Sequence, residues 1–341
     1  MKITRIGLDL AKDVFQVHGV DRNGHTVASR RLRRSEVLKY FAGIDPCVVG
    51  MEACGGAHHW GRELGKLGHQ VRLVSAQFVK PYVKSNKSDA NDAEAICETI
   101  SRPGMRFVEL KTVQQQELQA LHRVRSGLVG ERTGLANRIR GLLTEFGVVM
   151  PRQLAQVRRG LPWVLEDGEN GLSGALRGLL EGLRADLERL DERIGELDRL
   201  IGQAVREDPA CERLAAIEGI GPLTASALVA AVGTGKAFAN GRGMAAFLGL
   251  VPRQHGSGGK ARLGAISKRG DPYLRTLLIH GARSVLLHAA RKTDARSRWL
   301  QGLMARRHRN VAAVALANKN ARIAWALLAH EQSYRPAAGG Q

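Results

Sequence analysis

The stretch Ile6-Gly-Leu-Asp-Leu-Ala-Lys-Asp-Val-Phe-Gln-Val-His-Gly-Val20 reads as a strand, a short break and a second strand. One residue is out of character. Asp9 interrupts an otherwise apolar first strand, and a carboxylate there is costly to bury unless it is paired or binds metal. Asp21-Arg-Asn-Gly24 is a hairpin turn signal, so His25 to Leu32 returns as a third strand. Ser35 opens a short helix through Phe41. Cys47-Val-Val-Gly-Met51 is a buried-type strand that ends on Glu52. A helix over about Trp60 to Leu67 and a strand at Val71-Arg-Leu-Val74 follow.

Next comes Lys87-Ser-Asp-Ala-Asn-Asp-Ala-Glu-Ala95, a helix that starts at Ser88 or Asp89. Asp89 and Asp92 are three apart, which puts both carboxylates on one helix face, roughly 5–6 Å apart at Cβ. By themselves they read as a solvated first turn complementing the helix dipole. With Asp9 and Glu52 they make an ordered set of four acids, spread in sequence but carried on adjacent elements. Such a set suits a two-metal phosphoryl-transfer site, and Mg²⁺ prefers oxygen ligands of this kind. The order β-β-β-α-β-α-β-α is that of a ribonuclease H-like fold.

Composition points the same way. Lys plus Arg number 52 against 32 for Asp plus Glu in 341 residues, a formal net charge of +20. A chain this basic most often partners a polyanion, and nucleic acid is the default. A membrane surface is the rival, but there is no apolar run near twenty residues and no signal peptide. Cys47, Cys54, Cys97 and Cys211 lack Cys-x-x-Cys spacing, so they read as reduced thiols of a cytosolic, cytoplasmic protein and not as a zinc site. Aromatics are 4% of the chain, which disfavours a single-strand stacking platform as the main binding device.

Beyond the α/β part the chain is helical. Gln114 to Phe146 keeps one apolar face, with Arg123, Arg125, Arg132, Arg138 and Arg140 on its flanks. Pro151 and Pro162 are expected to break the pattern in a loop region. Leu176, Leu180, Leu183, Leu187, Leu190, Ile194, Leu197 and Ile201 then alternate steps of four and three, a coiled-coil seam. It serves a helical hairpin within one chain or contributes to a dimer. Arg206-Glu-Asp-Pro209 reads as a linker. The Gly219-Ile-Gly-Pro222 turn between helices resembles a helix-hairpin-helix, where Gly219 and Gly221 let the backbone approach a phosphate; an ordinary tight helical hairpin has the same outline.

The stretch Phe247 to Pro272 is rich in glycine and base. Lys260, Arg262, Lys268 and Arg269 can surround a phosphate. Ser257 and Ser267 are candidate nucleophiles, and by composition the same segment reads as a flexible basic loop touching the backbone. His255 can serve as a base or be a surface imidazole. Helices are expected from Asp271 to about Arg291 and from about Val311 to His330. Residues 333–341 read as a disordered tail.

Three groups of motifs, Gly7-Leu-Asp-Leu-Ala-Lys12, Met51-Glu-Ala53 and Lys87-Ser-Asp-Ala-Asn-Asp-Ala93, resemble the Asp-Glu-Asp-Asp domain of the IS110 family of insertion-sequence transposases, with its IS1111 subgroup. Ile217-Glu-Gly-Ile-Gly-Pro-Leu-Thr-Ala225, Phe247-Leu-Gly-Leu-Val-Pro-Arg253 and Ile266-Ser-Lys-Arg-Gly-Asp271 resemble its C-terminal transposase domain. The resemblance covers nearly the whole chain. It implies a RuvC-like domain over 1–112, a coiled-coil region over 113–206 and a mostly helical transposase domain over 207–332. It implies that Asp9, Glu52, Asp89 and Asp92 are the catalytic acids and hold Mg²⁺. The family's serine lies in a Pro-Arg-x-x-x-Ser-Gly segment, here Pro252-Arg253 to Ser257-Gly258, which selects Ser257 over Ser267. The implied enzyme is a recombinase that cuts and rejoins donor and target DNA through a phosphoserine, guided by a structured bridge RNA. It would act as homodimers and homotetramers in which the serine of one subunit meets the acids of another. Two rivals stand beside it: a two-metal nuclease of Holliday-junction type in which water attacks, and a non-enzymatic nucleic-acid-binding protein.

Overall fold

The computed structural model describes residues 2–84, 88–257 and 260–335, with the side chains of Ser257 and Ala261 excepted. Lys87, Gly258 and the end of the expected tail, 336–341, lie outside the described residues. The chain forms two compact units: residues 1–113 with 232–237, and residues 114–231 with 238–341.

The first unit is a mixed α/β layer. Strands β1 (Arg5–Leu10), β2 (Val14–Val20) and β3 (Thr26–Arg33) form an antiparallel meander. Helix α1 (Val37–Ala42) leads to β4 (Val48–Glu52), which pairs parallel to β1. Helix α2 (Ala57–Lys66) leads to β5 (Gln70–Val74), parallel to β4. The short α3 (Ala76–Val79) precedes α4 (Asp89–Ser101) and β6 (Phe107–Val108). The six strands stand in the order β3-β2-β1-β4-β5-β6, consistent with a ribonuclease H-like domain. Alternation explains the sheet: Ile6, Leu8, Phe15, Val17, Leu32, Val49, Met51 and Leu73 go into a core closed by Phe41, Trp60 and Leu64.

The second unit is almost wholly helical. Helices α5 (Val113–Glu145), α6 (Leu154–Glu166) and α7 (Gly174–Glu207) pack Leu135, Ile139, Leu143, Val157, Leu161, Leu180 and Leu187 together. Two sequence expectations change here. Pro162 lies inside α6, not in a loop. Its helix loses one hydrogen bond, and burial of Val157 and Leu161 on the apolar face offsets it. Nor is there a linker at 206–209. Helix α7 runs to Glu207 and α8 (Pro209–Ala215) starts two residues on, with the Asp208 carboxylate accepting from Ala210 N at 2.8 Å.

Helices α9 (Pro222–Val232) and α10 (Gly241–Phe247) follow. The glycine-rich basic segment is then a hairpin of β7 (Pro252–Ser257) and β8 (Lys260–Ile266), not a loop. Helices α11 (Pro272–Ala289), α12 (Ala295–Met304) and α13 (Arg309–Ala329) complete the unit. No helix among the described residues is long and apolar enough to cross a membrane.

Candidate functional site

Two glycines decide where α4 lies. A Cβ on Gly7 of β1 would stand 2.0 Å from the Ala93 carbonyl oxygen and 2.6 Å from Cys97 N. A Cβ on Gly50 of β4 would meet the Ile100 side chain at 2.6 Å. Only with hydrogen at both positions can α4 cross the two central strands at this depth, and Ala93, Ala95, Ile96 and Ile100 are buried there. The Ser88 hydroxyl starts the helix by accepting from Asn91 N at 3.3 Å. Its first turn therefore carries Asp89 and Asp92 toward Asp9 and Glu52, which lie near the carboxyl ends of β1 and β4.

Electrostatics report the same convergence. The Asp9 carboxyl is pushed up to about 6, first by burial and then by the negative charges of Asp92, Asp89 and Glu52. Burial, with Glu52 and Asp9 beside it, also raises the nearby Cys54 thiol. The carboxylates do not close on one point: among the described residues, no three His, Cys, Asp or Glu side chains form a metal-ready cluster. The two observations agree physically, because like charges repel and still shift one another's titration at a distance. The donor set fits a hard divalent cation, since all four groups are carboxylates, and burial with the other three charges holds the Asp9 carboxyl above its ordinary value.

The sequence reading missed a polar pair on the same sheet. Asp9 pairs with Gln16 across β1 and β2, and Gly7 pairs with His18, so Asp9, Gln16 and His18 share the α4 face. Burial lowers the His18 pKa, against the opposing pull of Glu94 and Glu98. The signal was available, for Gln16 and His18 are the two polar residues, two apart, in an otherwise apolar strand.

In the second unit the hairpin register pairs Ser257 with Lys260 and His255 with Arg262. The Ser257 side chain lies outside the described residues. Arg253, Lys260, Arg262, Lys268 and Arg269 are all exposed. The hairpin root is fixed by backbone. Gly270 has φ +83, and a Cβ there would stand 1.8 Å from Phe247 O. A Cβ on Gly249 would stand 2.1 Å from Arg269 O. Arg275 donates to Leu248 O at 3.2 Å and to Arg269 O at 3.3 Å, tying the root to α11.

The two glycines of the 219–222 turn have different surroundings. Gly219 has φ +89, and its Cβ position is crowded by Val285, Gly281 O and Asn320 Nδ2 at 3.0–3.2 Å. Gly221 is exposed, with nothing within 4 Å of its Cβ position. Beside the turn, Glu218 takes an ion pair from Lys292 at 2.7 Å and one from Arg296 at 3.4 Å.

Comparison with known proteins matches both parts of the chain. Residues 6–148 match the Asp-Glu-Asp-Asp transposase model of the IS110 family. Residues 211–298 match the model described as Transposase IS116/IS110/IS902 family. The chain is 58% identical over 337 residues to a "Probable family 20 transposase" of Pseudomonas aeruginosa, covering 98% of this chain and 100% of that one. It is 47% identical to the "Transposase for insertion sequence element IS1111A" of Coxiella burnetii, over 97% of this chain and 91% of that one. The corresponding IS1328 transposase of Yersinia enterocolitica is 45% identical over 95% and 96%. With two family models on successive segments and relatives matched nearly end to end, the chain belongs to the IS110 family of transposases, enzymes that act on DNA.

Proposed function

We propose that this transposase cuts and rejoins DNA strands through a covalent phosphoserine at Ser257, with Mg²⁺ held by Asp9, Glu52, Asp89 and Asp92. The observation that carries the metal half is the raised Asp9 carboxyl among three other acids, brought near by α4. The bound ion would neutralise charge on the scissile phosphate. The Ser257 Oγ attacks phosphorus, the bond to the leaving sugar oxygen breaks, and that oxygen takes a proton as the serine hydroxyl loses one. Rejoining is the reverse attack by a sugar hydroxyl, which frees the serine. The exposed cations Arg253, Lys260, Arg262, Lys268 and Arg269, and the open backbone at Gly221, suit phosphate contacts that set register and not sequence. Sequence choice then falls to a structured bridge RNA that pairs with donor and target DNA.

The three segments divide this work: acids in 1–112, a helical arm in 113–206 that contributes to a homodimer, and the serine in 207–332, with homodimers assembling to a homotetramer. The test is a labelled DNA substrate with Mg²⁺ and RNA transcribed from the element's non-coding flank. Wild type should give a protein–DNA adduct, Ser257→Ala none, and Asp89→Ala neither adduct nor cleavage. Cleavage by Ser257→Ala without an adduct would instead assign the attack to water, as in a two-metal nuclease.

A further inference from the structure

A cavity of about 360 Å³ lies within the second unit, walled by α5, α9 and the start of α11. One wall is apolar and made of small side chains, Ala227, Ala230 and Ala231 of α9. The opposite wall is a stripe of α5 bearing Gln119, Arg123 and Ser126, at spacing i, i+4, i+7 on one helix face. Among the described residues these three have no hydrogen-bond or ionic partner. Arg123 is exposed and Gln119 half-buried.

The end of the cavity is rigid. His122 is buried, with Nδ1 3.0 Å from Tyr273 Oη and Nε2 3.0 Å from Ser226 Oγ. Ser226 Oγ donates to Pro222 O at 2.8 Å, so His122 Nε2 must donate to Ser226 and Nδ1 must accept from Tyr273. Arg125 also bonds Tyr273 and is held by Asp198 through two contacts, at 2.5 and 3.3 Å. His122, Tyr273 and Ser226 are thus bonded to one another, and Asp271, which also lines the cavity, accepts from Tyr273 N at 2.7 Å. The donors left for a ligand are those of the α5 stripe.

We infer that this cavity receives one unpaired base of the nucleic-acid substrate. The size falls at the small end of ligand pockets. A flat wall of alanines offers a stacking surface to a planar ring, while Tyr273 closes the end. The Gln119 amide carries a donor and an acceptor side by side, the arrangement that reads adenine. Arg123 at the rim meets the phosphate of the same nucleotide. Bases enter such pockets most readily where they are already unpaired, so bulged or melted positions are the substrate class.

The test compares binding of the full chain to a fully paired DNA duplex and to the same duplex with one bulged adenine, with a matched pair of RNA hairpins as a second arm. Wild type should prefer a bulge by about tenfold, the scale of one stacked base. Gly127 lines the cavity and has nothing within 4 Å of its Cβ position, so the side chain of Gly127→Leu starts in open space and adds bulk to the cavity. That variant should bind the paired nucleic acid as wild type does and lose the preference. Gln119→Ala should lose most of it. Gly130→Leu, on the same helix and outside the cavity, should keep it. The arm in which Gly127→Leu erases the preference, DNA, RNA or both, identifies the source of the base. A wild type with no preference in either arm, or one that survives in Gly127→Leu, overturns the inference; loss of paired-duplex binding in wild type would count against the broader nucleic-acid reading instead.

Discussion

Gly7 of β1 lies directly under Ala93 of α4, so close that one added methyl would stand 2.0 Å from a backbone oxygen. Gly7→Ala should therefore push α4 off the sheet, with a stability cost of about 1–3 kcal/mol for overpacking. The displaced helix carries Asp89 and Asp92. DNA cleavage should fall further than the lowered melting temperature explains, and both can be read on one preparation. Near-normal cleavage by Gly7→Ala would show that α4 need not lie at this depth.

The raised Asp9 carboxyl gives a pH signature with a definite sign. Its folded pKa of about 6 lies above the ordinary 3.8. Its contribution to stability is thus fully present below about 3.8 and lost as pH rises through 6. In metal-free buffer, Asp9→Asn should match wild type in melting temperature near pH 4 and exceed it above pH 6. Added Mg²⁺ should stabilise wild type and leave the Asp9→Asn curve nearly unmoved. Thermal melts across pH, with and without Mg²⁺, check both. Equal curves at pH 7.5 would mean that Asp9 is not under electrostatic strain.

His122 gives the opposite sign. Burial, then the Arg125 charge, lowers its pKa from 6.5 to about 4. Its stabilising effect is present above 6.5 and lost as pH falls through 4. His122→Ala should destabilise at pH 7.5 by about 1–3 kcal/mol, because Tyr273 and the buried Ser226 lose a partner. Its stability should also fall less steeply than wild type between pH 6.5 and 4, a slope that urea melts at several pH values measure.

Gly219 and Gly221 should separate fold from contact. Gly219→Ala places a side chain at φ +89 against Gly281 O and Asn320, so melting should fall, at a cost of about 1–3 kcal/mol. Gly221→Ala enters open space, and melting should barely move. If the 219–222 turn touches phosphate, Gly221→Ala weakens DNA binding at unchanged stability. Binding equal to wild type would make the turn purely structural.

Much of the α/β unit was legible because alternation and turn chemistry are local. Asp21 to Gly24 marked a hairpin, and the i, i+3 spacing of Asp89 and Asp92 placed them on one face before any coordinates. What brings those acids toward Asp9 was not legible, since it depends on the missing side chains of Gly7 and Gly50 and a glycine in a strand reads only as a weakness. The β7–β8 hairpin was hidden by its glycines, which mask alternation. Pro162 misled because a propensity rule yielded to the packing of Val157 and Leu161. Short α10 and α12 lie below the length at which periodicity speaks. The buried His122 could not be told from the helix around it, because its partners are more than a hundred residues away in sequence.

The crossing of α4 over Gly7 and Gly50 joins two jobs that proteins usually keep apart. One helix roofs the sheet and also carries two of the acids proposed to hold metal. On the proposed function, folding and chemistry in this unit share a single tolerance: a change that loosens the roof also moves the acids. Anyone redesigning this unit has room on the exposed β3 edge and almost none along that crossing.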